Sequence, residues 1–457
     1  MSCLFFECSF KLSTFAFEDA EQSYTSLPDC HKHFPAPRWR RDKALLPSKQ
    51  RTAWVLLTID RTPGCVLLDS THGVACDNWP HLDALRKELS AQPRFRAEMS
   101  LMRKTQAPGA GTGSEQILMN SQLLKDTAKL LFVDHKGLLA MDESTGTCNK
   151  RFEKLGIPQT VEARRAYREL IVTTPGLGES IGGAILYDET IRQHKSDGTP
   201  FVKVLIEAGI TPGIKVDTGA KELAGHPGEK VTEGLDGLRD RLQEYFQMGA
   251  RFAKWRAVIA IGRGLPSWGC IEANAHALAR YAMLCQEAGL VPVVEPEVVM
   301  DGEHTLEQCC EVTGEVLRTV FSELVVQSVV LEGMVLKPNM VLPGMACTVQ
   351  PTVDEVADAT VNCFLRSVPA AVPAIAFLSG GQPADLASAR LNAMNARFKS
   401  QLPWALAFSF ARAIQQSALE IWNGCQANVE AAQQALYHRA LCNKAARSGE
   451  YSSDMEK

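Results

Sequence analysis

From residue 137 onward the chain alternates between short apolar runs and longer amphipathic stretches. The runs are GLLAMD (137–142), GGAILYD (182–188), TPGIKVD (211–217), RFAKWRAV (251–258), VPVVEPEVV (291–299), VVLEGMVLKP (329–338), AIAFLSGG (374–381) and ALAFSFAR (405–412). Each has the length of a strand. Between them, segments such as GLDGLRDRLQEYFQMG and EANAHALARYAMLCQEAG place apolar residues at helical spacing, and Gly289 closes the second as a C-cap. Strands alternating with helices predict βαβ units and a parallel sheet. Eight of them in about 280 residues predict an α/β fold of the (β/α)8 or TIM-barrel type. A doubly wound open sheet is the alternative. It is weakened because no G-x-G-x-x-G follows the first strand.

The first part of the chain has a different texture. Residues 1–98 show no sustained period, hold five of the 14 cysteines, and carry seven Lys or Arg against one Asp over 32–51. They read as an atypical, poorly ordered extension. Organelle targeting or a basic interaction role is left open, and Met99, Met102 and Met119 could each begin a complete catalytic chain. Within the extension, AWVLLTID and CVLLDS predict one hairpin turning at the Pro-Gly of RTPG (53–70). Residues 99–117 read as a linker. A helical stretch from about Ser114 to His135 leads into the barrel domain, 118–457, which ends in a helical tail.

Composition narrows the class. The chain has 457 residues, 46% hydrophobic and 22% charged, with net charge −4. A core of this size needs neither disulfide nor metal. The charge offers no field for nucleic acid or a membrane surface. Scattered cysteines without C-x-x-C read as reduced thiols, and no apolar run is long enough to span a bilayer. A cytoplasmic protein is expected.

Several predicted strands break the apolar rule in one way. Asp142, Lys215 with Asp217, Lys254 with Arg256, Glu295 with Glu297, and Lys337 mostly sit towards the C-terminal ends of their runs. A single such lysine ordinarily snorkels to water or makes a surface pair. Charges on successive buried strands are costly, and the C-terminal mouth of a barrel is where active sites are built. Residues two apart share a face, so Lys254 joins Arg256 and Glu295 joins Glu297. An inward cluster of this kind suits Schiff-base chemistry. A lysine near other cations loses its proton more readily, attacks a carbonyl, and leaves an iminium electron sink beside which a carbon–carbon bond can break. A carboxylate shuttles the protons. Lys and Arg suit phosphate groups, and the serine and glycines of FLSGGQ offer N–H groups to another phosphate.

Histidines show no H-x-x-x-H spacing and no cluster with carboxylates, so neither metal nor other cofactor is expected. Cys30-His31 with His33 is a weak metal candidate inside the extension.

LAMDESTGTCNKRF, GIKVD, GLDGL, GARFAKWR, VPVVEPE, LKPNM, FLSGGQ and FSFARA resemble class I fructose-1,6-bisphosphate aldolases, in order, from about residue 118 to about 440. The flavour of GAILYDETIRQ and ANAHALARY is closer to bacterial members. The resemblance implies a Schiff-base lysine at Lys337, a general acid/base at Glu295, a neighbouring lysine at Lys254, an orienting Asp142 and a supporting Glu297. It places Lys215, Arg256, Ser144 and Thr147 at the substrate and one phosphate, and Ser379, Gly380 and Arg412 at the other. It further implies a sugar-phosphate substrate, a metal-free reaction in glycolysis and gluconeogenesis, and a homotetramer.

Some positions depart from the family pattern. The chain ends DMEK rather than in tyrosine, its last tyrosine being Tyr451. Thr147 stands for a common serine, and Phe410-Ala411 for a common Tyr-Gly or Tyr-Ala. A transaldolase, a monophosphate aldolase, and a non-catalytic scaffold on the same fold are the competing readings.

Overall fold

The computed structural model describes the backbone of residues 13–15, 53–59, 62–69, 73–75 and 112–457, with side chains from residue 121. The chain divides into two units, Met1–Gly113 and Ser114–Lys457. In the first, Ala53–Ile59 pairs antiparallel with Thr62–Asp69, as the two apolar runs predict. The turn differs from the expectation. Pro63 and Gly64 lie within the second strand, and residues 60–61 connect the two. The remaining readings of the extension, including Cys30, His31 and His33, fall outside the described residues.

The second unit is a closed eight-stranded parallel barrel. Its strands are β1 Gly137–Met141, β2 Ile181–Leu186, β3 Thr211–Lys215, β4 Phe252–Ile259, β5 Val291–Val298, β6 Val335–Leu336, β7 Ala374–Phe377 and β8 Ala405–Phe410. They neighbour one another in sequence order and β8 closes on β1. All eight apolar runs supply a strand, and the open-sheet alternative falls. β6 is shorter than its run: residues 331–333 form a 3₁₀ turn and only two residues pair. A hairpin of Gly219–Glu222 and Lys230–Glu233, whose sequences do not alternate, was not expected.

Helices cover the outside with their own stop signals. Trp268–Glu287 starts at the N-cap Ser267 and is followed by Gly289 at φ +77°. Leu306–Val326 and Val353–Leu365 each begin with a capping box, Thr305 with Gln308 and Thr352 with Glu355. Trp255 faces this layer and packs on Tyr281 with ring centroids 5.5 Å apart. Three further helices matter below: α1 Thr145–Glu153, α2 Ala384–Phe398 and α3 Arg412–Trp422. The tail helix α4, Val429–Ser448, packs on α2 and α3. The nine described cysteines are unpaired.

Strand periodicity sorts the barrel interior along its axis. One end is apolar: Leu138, Ala140, Ile185, Phe252, Val291, Val293, Val335, Ala374, Ala376 and Ala407 form one cluster. Leu124, Ala128, Leu131 and Phe132 of the leading helical segment pack into it. Phe252 fills the axis where Gly183 and Gly213 make room, since a Cβ at Gly213 would lie 2.3 Å from the Phe252 ring. Continuing the same inward parity two residues at a time gives Asp142, Lys254, Arg256, Glu295, Glu297, Lys337 and Ser409. The charges thus follow from the pleat that places the apolar plug.

Candidate active site

A cavity of about 660 Å³ opens at the C-terminal end of the barrel strands. All twelve side chains singled out from sequence line it: Asp142, Ser144, Thr147, Lys215, Lys254, Arg256, Glu295, Glu297, Lys337, Ser379, Gly380 and Arg412.

At its floor lies a chain of charges. Lys254 Nζ is 2.6 Å from Asp142 Oδ2 and 3.1 Å from Glu295 Oε2. Lys337 Nζ is 3.1 Å from Glu295 Oε1. Lys254, Glu295 and Lys337 are each only 3% exposed. Glu295 comes from β5, where residue 293 is part of the apolar plug, and Lys337 follows the two-residue β6 directly. The two lysines therefore straddle one carboxylate. Burial opposes charge on Asp142, but Lys254 and Lys337 outweigh it and hold its carboxyl down to about 2. Glu295 is likewise kept below the usual carboxylate range: burial works against ionisation, and Lys254, Lys337 and Arg256 prevail. Burial also opposes the Lys254 ammonium, yet Asp142 and Glu295 push it well above the usual lysine range.

The expectation of a cationic pocket is corrected: the charges in it balance. The lining holds six basic side chains, adding Arg151 to the predicted five, and six acidic ones, adding Glu143 and Asp301 to the four strand-end carboxylates Asp142, Asp217, Glu295 and Glu297. Lys254 is locked as a cation by two carboxylates. Lys337 has one carboxylate partner, Glu295.

Around this floor the side chains divide by partner. Lys215 Nζ is held by Asp217, 2.5 Å from Oδ1 and 2.7 Å from its carbonyl. Arg256 donates to Glu297 through Nε. Ser144 N-caps α1 and accepts from Thr147 N at 3.3 Å, while the two hydroxyls lie 3.1 Å apart. Arg151, on the same α1 face one turn beyond Thr147, pairs with Glu143 at 2.6 Å. It lay inside a quoted motif, but its approach depends on how α1 caps β1. After β7, Gly380 and Gly381 have φ +58° and +95°, a turn closed by Gln382 N donating to Ser379 O at 2.9 Å. Arg412, the first residue of α3, lies against this turn: a Cβ at Gly381 would be 3.1 Å from its guanidinium.

The departures are also placed. Ala411 lines the cavity, whereas Phe410 is fully buried and packs on Phe408 at 5.8 Å. Tyr451 does not line the cavity. Its hydroxyl lies 2.8 Å from Glu456.

Comparison with known proteins gives the same picture. A family model described as glycolytic "Fructose-bisphosphate aldolase class-I" matches residues 123–457. A Xanthomonas campestris protein named "Probable fructose-bisphosphate aldolase class 1" is 56% identical over 334 residues, covering 73% of this chain and 99% of its own. The cytosolic fructose-bisphosphate aldolase 6 of Arabidopsis thaliana is 52% identical over 320 residues, 70% of this chain and 88% of its own. A solved fructose-bisphosphate aldolase of Plasmodium falciparum superposes with a TM-score of 0.72 at 46% identity, over 73% of this chain and 96% of that one. With eight βα units in order and a family match running unbroken to its last residue, this chain belongs to the class I fructose-bisphosphate aldolases.

Proposed function

We propose that Lys337 is the amine on which the reaction is built, with Glu295 as its proton shuttle and Lys254 and Asp142 as the charged frame around both. The reaction is the reversible cleavage of fructose 1,6-bisphosphate to dihydroxyacetone phosphate and glyceraldehyde 3-phosphate through a lysine Schiff base, a step of glycolysis and gluconeogenesis.

The observation that carries these roles is the shared carboxylate. Glu295 Oε1 faces Lys337, and Oε2 faces Lys254 without an aligned hydrogen bond. Lys337 gives a proton to Glu295 and attacks the C2 carbonyl. Glu295 returns that proton to the carbinolamine oxygen and then relays a second one to it from the attached ammonium nitrogen, so the oxygen leaves as water and the nitrogen stays as the iminium. Lys254, fixed as a cation, stabilises the oxygen charge of the carbinolamine. Glu295 then takes the C4 hydroxyl proton. The C3–C4 bond breaks, its electrons enter the iminium, and an enamine remains on Lys337. Protonation and hydrolysis release the second triose. Glu297 supports Arg256 by holding its guanidinium.

The lining is read as serving two phosphates. Arg256, Lys215, Ser144 and Thr147 are assigned to one, and Ser379, Gly380 and Arg412 to the other; all line the cavity. Two such sets of residues favour the bisphosphate over a monophosphate, and cleavage rates of the two sugars compared side by side separate these readings. A cytoplasmic homotetramer completes the proposal. The cytosolic names of the plant relatives support the location, and light scattering tests the assembly.

Borohydride reduction with dihydroxyacetone phosphate tests the central claim. One adduct is expected, on the peptide carrying Lys337, and none in Lys337→Met. An adduct on Lys254, or none on the wild type, overturns it. The second outcome would point to a scaffold on an aldolase fold.

A further inference from the structure

Away from the cavity, folding brings together three side chains that sequence spacing alone did not connect. His438 and Cys442 lie one turn apart on α4, and Glu456 comes from the terminal 3₁₀ turn Ser453–Glu456. One imidazole nitrogen, the Cys442 sulfur and one carboxylate oxygen all lie within 4.8 Å of one another. We infer that His438, Cys442 and Glu456 form a binding site for a zinc-like divalent cation, separate from the aldolase chemistry.

The geometry fits that ion. Cys442 Sγ and His438 Nε2 are 3.6 Å apart. With Zn–S about 2.3 Å and Zn–N about 2.1 Å at a tetrahedral angle, ligand sulfur and nitrogen sit about 3.6 Å apart. Thiolate, imidazole and carboxylate together select zinc-like ions over magnesium or calcium, which take oxygen donors.

The carboxylate is already aimed. Tyr451 OH donates to Glu456 Oε1 at 2.8 Å, and Arg439 donates to the same oxygen, so Oε2 is available as the ligand. Arg439 is itself buried and held by Ala384 O at 3.0 Å, Ser388 Oγ at 2.8 Å and Ala413 O at 3.3 Å. This is the second layer that metal sites need to orient their ligands. Access is in place too: Cys442 forms a buried floor, and His438 and Glu456 are exposed above it. Binding releases the Cys442 thiol proton to solvent, uses neutral His438 through Nε2, and leaves a fourth position for water. The same atoms can instead make a plain S–H···N hydrogen bond, and the experiment decides between the two.

The test is Co²⁺ titration of the full chain under reducing conditions, comparing wild type with His438→Ala and Cys442→Ser. The wild type is expected to show a thiolate-to-cobalt charge-transfer band with the visible bands of tetrahedral cobalt. Zn²⁺ should abolish both by displacement. Each variant should lose the band or bind at least about tenfold more weakly. His438 is exposed, so its variant decides the matter even where Cys442→Ser fails to fold. A wild type without the band, or a band surviving unchanged in His438→Ala, overturns the site.

Discussion

Lys337 Nζ, just past β6, and Glu295 Oε1, within the neighbouring β5, lie 3.1 Å apart, both side chains almost wholly out of water. In the proposed mechanism Glu295 accepts the proton of Lys337, and no other carboxylate pairs with Lys337 among the described residues. Glu295→Gln keeps the shape and removes the base. Its kcat should fall by about 10²- to 10⁴-fold with KM little changed. Steady-state kinetics beside single-turnover borohydride trapping checks this, because the loss should appear in the rate of adduct formation. Near wild-type turnover would remove Glu295 from the mechanism.

Asp142 should stabilise the folded chain in a pH window set by its depressed carboxyl. Its pKa moves from 3.8 when free to about 2 in the fold. Stability from a depressed carboxyl is fully present above the free value and disappears as pH falls through the folded value. A shift of this size corresponds to about 2 kcal/mol. Asp142→Asn should therefore melt lower than wild type by a constant margin at neutral pH, a margin that narrows only below about pH 3.8. Thermal melts across pH measure this. A gap that already closes near neutrality would mean that Asp142 is not held by Lys254 and Lys337.

What the sequence revealed of this site, and what it concealed, follows from one asymmetry. Lys254, Glu295 and Lys337 were legible because a charge inside an apolar strand has few places to go, and the pleat assigns its face. Arg151 and Asp301 were not, because they stand on a helix and a loop whose charges look like any solvated surface until β1 and β5 are in place. β6 shrank to two residues for a related reason: residues 329–336 are apolar whether they pair in a sheet or pass beneath it as a 3₁₀ turn. The charge balance of the pocket was misjudged because counting lysines and arginines says nothing of which carboxylates lie beside them, as Asp142 does beside Lys254 at 2.6 Å. The cluster at His438 was invisible because its third member reaches it only through the folded tail.

Arg412 and the Gly380-Gly381 turn should act together on one phosphate. Removing the guanidinium in Arg412→Ala takes away a charge-assisted contact of about 1.5–3 kcal/mol, so KM for the bisphosphate should rise about 10- to 100-fold. Gly381→Ala should act in the same direction. Its φ of +95° disfavours any side chain, and the added methyl would press on the Arg412 guanidinium. Inorganic phosphate offers an independent readout, since it should inhibit wild type and lose affinity in both variants. Unchanged inhibition would place the second phosphate elsewhere.

The apolar plug opposite the active site carries a prediction of its own. Phe252 occupies the barrel axis only because residues 183 and 213 lack side chains. Gly213→Ala would put a methyl 2.3 Å from the Phe252 ring in a tightly filled interior. Overpacking of this kind costs about 1–3 kcal/mol. Lys254 lies two residues along the same strand and face, so any displacement of Phe252 is passed to the charged floor of the cavity. Gly213→Ala should therefore lower both the melting temperature and kcat. The double variant Gly213→Ala with Phe252→Leu, which shortens the ring as the methyl is added, should recover part of both. Denaturant unfolding and kcat measured on the two variants and on Phe252→Leu alone close a double-mutant cycle. Additive losses would mean that the plug and residue 213 do not meet.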